Sequence, residues 1–284
     1  MEFLFQTVKH CVVNHLAKKP VFSTLQYWLV NNPHILNFSW NQGQTLGASP
    51  LFLTLTVLSY LSLTFILSHV TLPSVGPRIL RFLTAIHNII LLTVSFTMAI
   101  GCTLSIIFHS LNVDCIVCYP INTPPRGPLF FWSHIFYLSK IFEFMDTLLI
   151  ILSNSIRRLT FLHVYHHATV VVMCYISLHT SQSLFPGVIV INSSVHVIMY
   201  FYYFLCSLGI RPKWKKFVTD CQIVQFFSSF GIMAWIFYYH FTGLGCSGIW
   251  GWCFDSVFIT SLLVLFLDFH SKNYSNKNEA KKNI

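Results

Sequence analysis

Seven stretches of this chain are apolar for about 20 residues each and nearly free of charge, and that pattern constrains the fold more than any other feature. They run near 51–70, 82–108, 129–152, 159–180, 187–208, 217–242 and 252–269. A helix rises about 1.5 Å per residue, so each run matches the hydrocarbon core of a bilayer. In lipid every backbone N–H and C=O needs a partner within the protein, and a helix supplies it from its own segment. Alternating strands of about ten residues, the mark of a membrane barrel, are not what the sequence shows. Only 9% of the residues are charged, against roughly 25% in soluble domains, which leaves too few to cover a soluble surface. The reading is an all-α membrane protein with seven transmembrane helices.

The formal charge of +9 does not point to nucleic acid, because the basic residues sit in short loops between spans. Threading the spans puts Arg78, Arg81, Arg157, Arg158, Arg211, Lys213, Lys215, Lys216 and the tail lysines on one side, and only Lys9, Lys18, Lys19 and Arg126 on the other. The positive-inside rule makes the first side cytosolic, so the N-terminus is expected in the lumen and the C-terminus in the cytosol. The expected organisation is a lumenal segment 1–49, a transmembrane domain 50–270 and a cytosolic tail 271–284. Residues 1–16 lack the basic start and long apolar run of a cleavable signal peptide. The tail ends Lys281-Lys282-Asn283-Ile284, which resembles the dilysine retrieval signal of endoplasmic-reticulum membrane proteins. Asn37-Phe38-Ser39 is a glycosylation acceptor pattern on the expected lumenal side, and Asn273-Tyr274-Ser275 is one on the cytosolic side.

Cys102, Cys174, Cys206 and Cys221 fall inside spans, where a thiol is ordinarily inert packing. Cys115, Cys118, Cys246 and Cys253 fall in or beside expected lumenal loops, a compartment that permits disulfides. A bridge from Cys115 or Cys118 to Cys246 is therefore expected. Cys115-Ile116-Val117-Cys118 without a second such pair is a weak metal or redox motif.

Ionisable residues within spans are costly, so each is a functional hypothesis. Here they form groups. His163, His166 and His167 share an arc of about 100° on one helix face. A lone histidine is usually a packed core residue; three on one face of a membrane helix are hard to explain that way. Lys140, Glu143, Asp146 and Thr147 are spaced by three and four in the third span, so that lysine and carboxylates can partly neutralise one another. Asn192, His196, Met199, Tyr200 and Tyr203 share a face of the fifth span. Thr219, Gln222 and Gln225 open the sixth, where amides ordinarily bond to another helix. All four groups lie toward the cytosolic half of their spans. Facing inward together, they would line one polar chamber.

The stretches Lys140-Ile-Phe-Glu143-Phe-Met-Asp146-Thr147, His163-Val-Tyr-His166-His167, His196-Val-Ile-Met199-Tyr200-Phe-Tyr202-Tyr203 and Thr219-Asp-Cys-Gln222-Ile-Val-Gln225 resemble, in order, the motifs of the ELO family of very-long-chain fatty-acid elongases. The resemblance covers about residues 50–270, and the wording around the His box is most like plant members. It implies a 3-oxoacyl-CoA synthase of the endoplasmic-reticulum membrane that joins an acyl-CoA to malonyl-CoA, releases CO2 and CoA, and lengthens the chain by two carbons. It also implies seven helices, six of them enclosing an acyl-chain tunnel. No bound cofactor or metal is implied. The partners are acyl-CoA, malonyl-CoA, membrane lipid and the other elongation-cycle enzymes (ketoacyl-CoA reductase, dehydratase and enoyl-CoA reductase), and oligomeric state, including a homo-oligomer, is left open.

The resemblance points to His166 as nucleophile, attacking the thioester to leave an acyl-imidazole. His163 and His167 would orient it and manage protons. His196 would assist malonyl-CoA decarboxylation or stabilise the enolate, and Glu143 and Asp146 could fix histidine tautomers. The expected substrate contacts are Lys140, Asn192, Tyr200, Tyr203, Gln222, Gln225, Arg211 and Lys213. The rival readings are a membrane di-iron desaturase or hydroxylase, and a transporter with an ion pathway. The di-iron site needs about eight histidines in three boxes, whereas His69, His87, His109, His134, His179, His240 and His270 stand isolated in this sequence.

Overall fold

The computed structural model describes Thr7 and residues 19–70, 75–109, 117–243 and 245–275. Every regular element among them is helical, and the single β-contact is an isolated bridge between Ser39 and Arg126. Two short helices, α1 (Pro20–Gln26, continued by a π turn, Tyr27–Asn31) and α2 (Pro33–Leu36), precede the long ones. These are α3 (Pro50–His69), α4 (Pro77–His109), α5 (Pro128–Phe142), α6 (Phe144–Leu152), α7 (Phe161–His179), α8 (Phe185–Ser207), α9 (Lys215–Thr242) and α10 (Ile249–His270). Cys115, Lys9, Lys18 and the dilysine pair Lys281-Lys282 lie outside the described residues.

Proline, with its fixed φ and missing N–H, favours a helix start, and it opens α3, α4 and α5 at Pro50, Pro77 and Pro128. Thr160 opens α7 by accepting a hydrogen bond from the His163 N–H at 3.3 Å. Among the described residues six helices, α3, α4, α7, α8, α9 and α10, are long and apolar enough to cross a membrane, so the chain is a multi-pass membrane protein. α4 has 33 residues and at about 50 Å outruns the hydrocarbon core.

The third expected span, 129–152, differs from expectation. It is two helices, α5 of 15 residues and α6 of 9, interrupted at Glu143. Neither half is long enough to cross alone. No proline or glycine causes the break. The Glu143 carbonyl accepts from the Asp146 N–H at 3.0 Å, an i,i+3 bond that tightens the chain by part of a turn.

The helices pack in a circuit: α4 against α8, α8 against α9, α9 against α10, α10 against α7, α7 against α5, and α5 with α6 back against α4. α8 also touches α5 across the circuit, and α3 packs outside on α6 and α7. Along α3 only Tyr60 and Thr64 are buried. The α4–α5 contact depends on Gly101, where any side chain would overlap the Trp132 ring; the Trp132 indole N–H donates to the Leu29 carbonyl at 3.0 Å.

One end of the circuit is closed by interlocked loops. The Tyr119 N–H donates to Ser183 Oγ at 2.9 Å, and the Ser247 N–H donates to the Tyr119 carbonyl at 2.9 Å. The Trp252 indole donates to the Ser183 carbonyl at 2.9 Å. The Trp40 N–H reaches the Pro125 carbonyl and the Gly127 N–H reaches the Phe38 carbonyl, both at 2.9 Å. Gly248 has φ +77 and sits so close to the Gln182 backbone that a Cβ there would overlap it. The structure joins Cys118 to Cys246 across 128 residues. These loops are the segments that the charge pattern assigned to one side, and they meet at one end. The bridge gives a first prediction. Both thiols are expected to resist alkylation until reduced, and Cys246→Ser is expected to cost about 2–5 kcal/mol of stability. Labelling of Cys118 and Cys246 before reduction would contradict the pairing.

Candidate active site

The interruption at Glu143 determines what the site contains. At it and on either side, the polar residues point to four different neighbours, α3, α4, α7 and α8. Lys140 and Glu143 are 1% and 2% exposed, and their side chains meet at 2.8 Å. An isolated charge at such depth would be prohibitively costly, so each ion requires the other. His196 of α8 completes the cluster: its Nδ1 lies 3.3 Å from Glu143 Oε1. Lys140 Nζ lies 3.3 and 3.4 Å from the two ring nitrogens. Lys140, which has only donors, therefore stands against both Glu143 and the imidazole. Lys140 Nζ also stands 4.6 Å above the Phe136 ring.

Asp146, the next polar residue, binds elsewhere. Its Oδ1 lies 3.0 Å from His87 Nε2 on α4, and its Oδ2 accepts from the Tyr200 hydroxyl at 3.0 Å. Thr147 turns to α7 and α3, with Oγ1 at 2.8 Å from His163 Nε2 and 3.0 Å from the Tyr60 hydroxyl. Asp146 and Thr147 therefore tie α6 to α3, α4, α7 and α8.

The His box lies on the inner face of α7. The His163 and His167 rings are 4.4 Å apart, and those of His166 and His167 are 5.4 Å apart. His166 lies parallel to the Phe258 ring of α10 at 6.5 Å, and Tyr165 meets Ser261 of the same helix at 2.7 Å. Unlike His163, which is held by Thr147, His166 and His167 each keep a buried Nδ1 without a hydrogen-bond partner. Buried polar atoms are normally satisfied, so such atoms mark a place prepared for chemistry or for a ligand.

The other expected residues are distributed more widely. Asn192, half-buried on α8, has a buried, unpartnered Oδ1. Gln222 Nε2 donates to Met199 Sδ at 3.4 Å, joining α9 to α8. Gln225 is half-buried one turn further along α9. Tyr203 is 42% exposed and packs against Tyr200 and Tyr202. Arg211 and Lys213 stand exposed in the α8–α9 connection, outside the buried cluster.

Several expectations are redirected. Glu143 and Asp146, expected to fix histidine tautomers, lie against His196 and His87. Lys140, expected on substrate, has its ammonium on Glu143. His87, read in the sequence as isolated, is 6% exposed and bonded to Asp146. The signal was present: an ionisable residue in an apolar span calls for a buried partner. Tyr60 was passed over for lack of any motif around it. Among the described residues no group of three or more His, Cys, Asp or Glu side chains is arranged to hold a metal ion.

The ELO: GNS1/SUR4 family model matches residues 45–282. Fatty acid elongase A of Dictyostelium discoideum is 36% identical over 203 residues, covering 69% of this chain and 73% of the relative. Fatty acid elongase sre1 of the same organism is 32% identical over 215 residues, covering 74% and 79%. Fatty acid elongase 3-like of Arabidopsis thaliana is 25% identical over 287 residues, covering 93% and 98%.

The buried pair sets a measurable expectation. Lys140→Met strands the Glu143 carboxylate and is expected to cost about 3–5 kcal/mol, whereas Lys140→Met combined with Glu143→Leu is expected to regain most of that loss. Thermal unfolding in detergent reads both. Equal stability of the single and double variants would mean that the two ions do not depend on each other.

Proposed function

Because the chain belongs to the ELO family of fatty-acid elongases, and so is an enzyme of fatty-acid elongation, we propose that it is the condensing enzyme of that cycle, a 3-oxoacyl-CoA synthase working through an acyl group carried on His166. The observation that carries this reading is His166 within the His box of α7, its Nδ1 buried and unbonded and its ring 5.4 Å from that of His167.

A nitrogen of His166 attacks the acyl-CoA thioester and the carbon–sulfur bond breaks. The imidazole loses its other N–H proton, the thiolate gains one, and CoA leaves as the thiol. Malonyl-CoA then loses CO2, and the electron pair of the broken carbon–carbon bond forms an enolate. The enolate carbon attacks the acyl carbon, the bond to His166 breaks, and the imidazole regains a proton. In sum, acyl-CoA, malonyl-CoA and one proton give 3-oxoacyl-CoA, CoA and CO2. Splitting the condensation in two replaces one difficult step by two easier ones.

His163, its ring held by Thr147, and His167 orient His166 and move its protons. His196, held by Glu143, serves the decarboxylation. Asn192, Gln222 and Gln225 donate to oxyanions as they develop. Tyr200 and Tyr203 line the substrate path. The circuit of α4, α5 with α6, α7, α8, α9 and α10 encloses an acyl-chain tunnel, with α5 and α6 crossing the membrane together as the seventh span. The loop-closed end is lumenal, and CoA enters at the other end from the cytosol, where exposed Arg157, Arg158, Arg211, Lys213, Lys215 and Lys216 suit its phosphates. The family match does not favour the di-iron reading.

Labelled malonyl-CoA tests the reaction. The purified protein is expected to place the label in a 3-oxoacyl-CoA two carbons longer than the acyl-CoA supplied. His166→Ala is expected to lower the rate by about 10³-fold or more. Label recovered only in unreacted malonyl-CoA, or His166→Ala at wild-type rate, would overturn the proposal.

A further inference from the structure

His87 falls outside every motif that the sequence displays, yet it is as deeply buried as the motif residues. It is 6% exposed, and the adjoining Asn88 is 3% exposed. It lies on α4, 59 positions before Asp146, and its Nε2 meets Asp146 Oδ1 at 3.0 Å. The other carboxylate oxygen accepts from Tyr200 at 3.0 Å. The Tyr200 ring stands edge-on to His196 with centroids 5.5 Å apart. Tyr200 is itself fully buried, so its orientation is fixed by what holds its hydroxyl.

We propose that His87 is a positioning residue for the condensation step, holding His196 in place through Asp146 and Tyr200. The inference rests on the proposed role of His196 in malonyl-CoA decarboxylation. His196 has two supports. Glu143 grips the imidazole edge at 3.3 Å, and Tyr200 packs against the ring. The first is anchored by Lys140 from the same chain segment. The second has no anchor on its own helix and is carried across the bundle by Asp146 to α4. Without the His87 donor, Asp146 keeps one partner and gains a half-satisfied carboxylate, which is free to rotate and to release the Tyr200 hydroxyl. His196 would then lose its packing wall while keeping its charge partner. His163 and the remainder of the His box, held by Thr147 and Phe258, would be undisturbed.

This separates the two half-reactions. CoA thiol release from acyl-CoA alone reads acylation; label transfer from malonyl-CoA reads condensation. His87→Phe fills the volume but cannot donate. It is expected to release CoA from acyl-CoA alone as the wild type does, and to lose condensation by about 10- to 100-fold, the scale of a misplaced catalytic group. His87→Gln places an amide N–H near the position of Nε2 and is expected to restore condensation to within a few-fold. Tyr200→Phe cuts the same path at its other contact and is expected to lose condensation by a similar factor, which keeps the test open if His87→Phe does not fold. Wild-type condensation in His87→Phe and Tyr200→Phe would overturn the proposal. So would equal loss of both half-reactions without rescue by glutamine, the result of a purely structural histidine. If the wild type releases no CoA until malonyl-CoA is added, the covalent reading fails on its own. The positioning role is then read from labelled CO2 release, which must fall in His87→Phe and recover in His87→Gln.

Discussion

Two full charges meet in the middle of this bundle, and much of the site is arranged around them. Lys140 and Glu143 are almost wholly excluded from solvent and 2.8 Å apart. Each alone would cost several kcal/mol at that depth, so they are retained only as a pair. Their spacing of three residues suits a helix, but the helix pauses at Glu143 itself. The pause reorients the next polar residues. Glu143 faces α8, Asp146 faces α4 and α8, and Thr147 faces α3 and α7. A continuous helix would present these residues along one stripe to one neighbour.

That divergence explains how a mostly apolar bundle positions its histidines. Lipid offers no hydrophobic drive between helices, so polar contacts and close packing must fix their relation. Gly101 lets α4 and α5 approach closely at Trp132. The loop end is fixed by a disulfide and a lattice of backbone bonds around Ser183. At the other end, α6 holds four helices through two side chains, Asp146 and Thr147. The proposed condensation fits this division: a closed end suits an apolar chain, and a polar cluster suits the thioester.

Much of the architecture was legible in the sequence because lipid tolerates few alternatives. Runs of apolar residues as uniform as 51–70 or 187–208 have one stable form there, and the helices found begin and end within a few residues of them. The four polar groups were legible for the same reason, since charges in spans need partners. The pause at Glu143 was not legible, because no proline or glycine marks it. The partner of His87 was hidden by 59 positions of chain and could be found only once α4 and α6 were placed side by side. Cys115 and Cys118 were equivalent by spacing, and the structure joins Cys118 to Cys246.

The central claim is that this polar cluster makes one imidazole, His166, an acyl carrier. Mass spectrometry of the purified protein after brief exposure to acyl-CoA alone tests it most directly. The account predicts an acyl mass on the peptide containing His166, removed on adding malonyl-CoA and absent from His166→Ala. An unmodified His166 in an enzyme that nonetheless turns over, or an adduct on another residue that malonyl-CoA discharges, would contradict it.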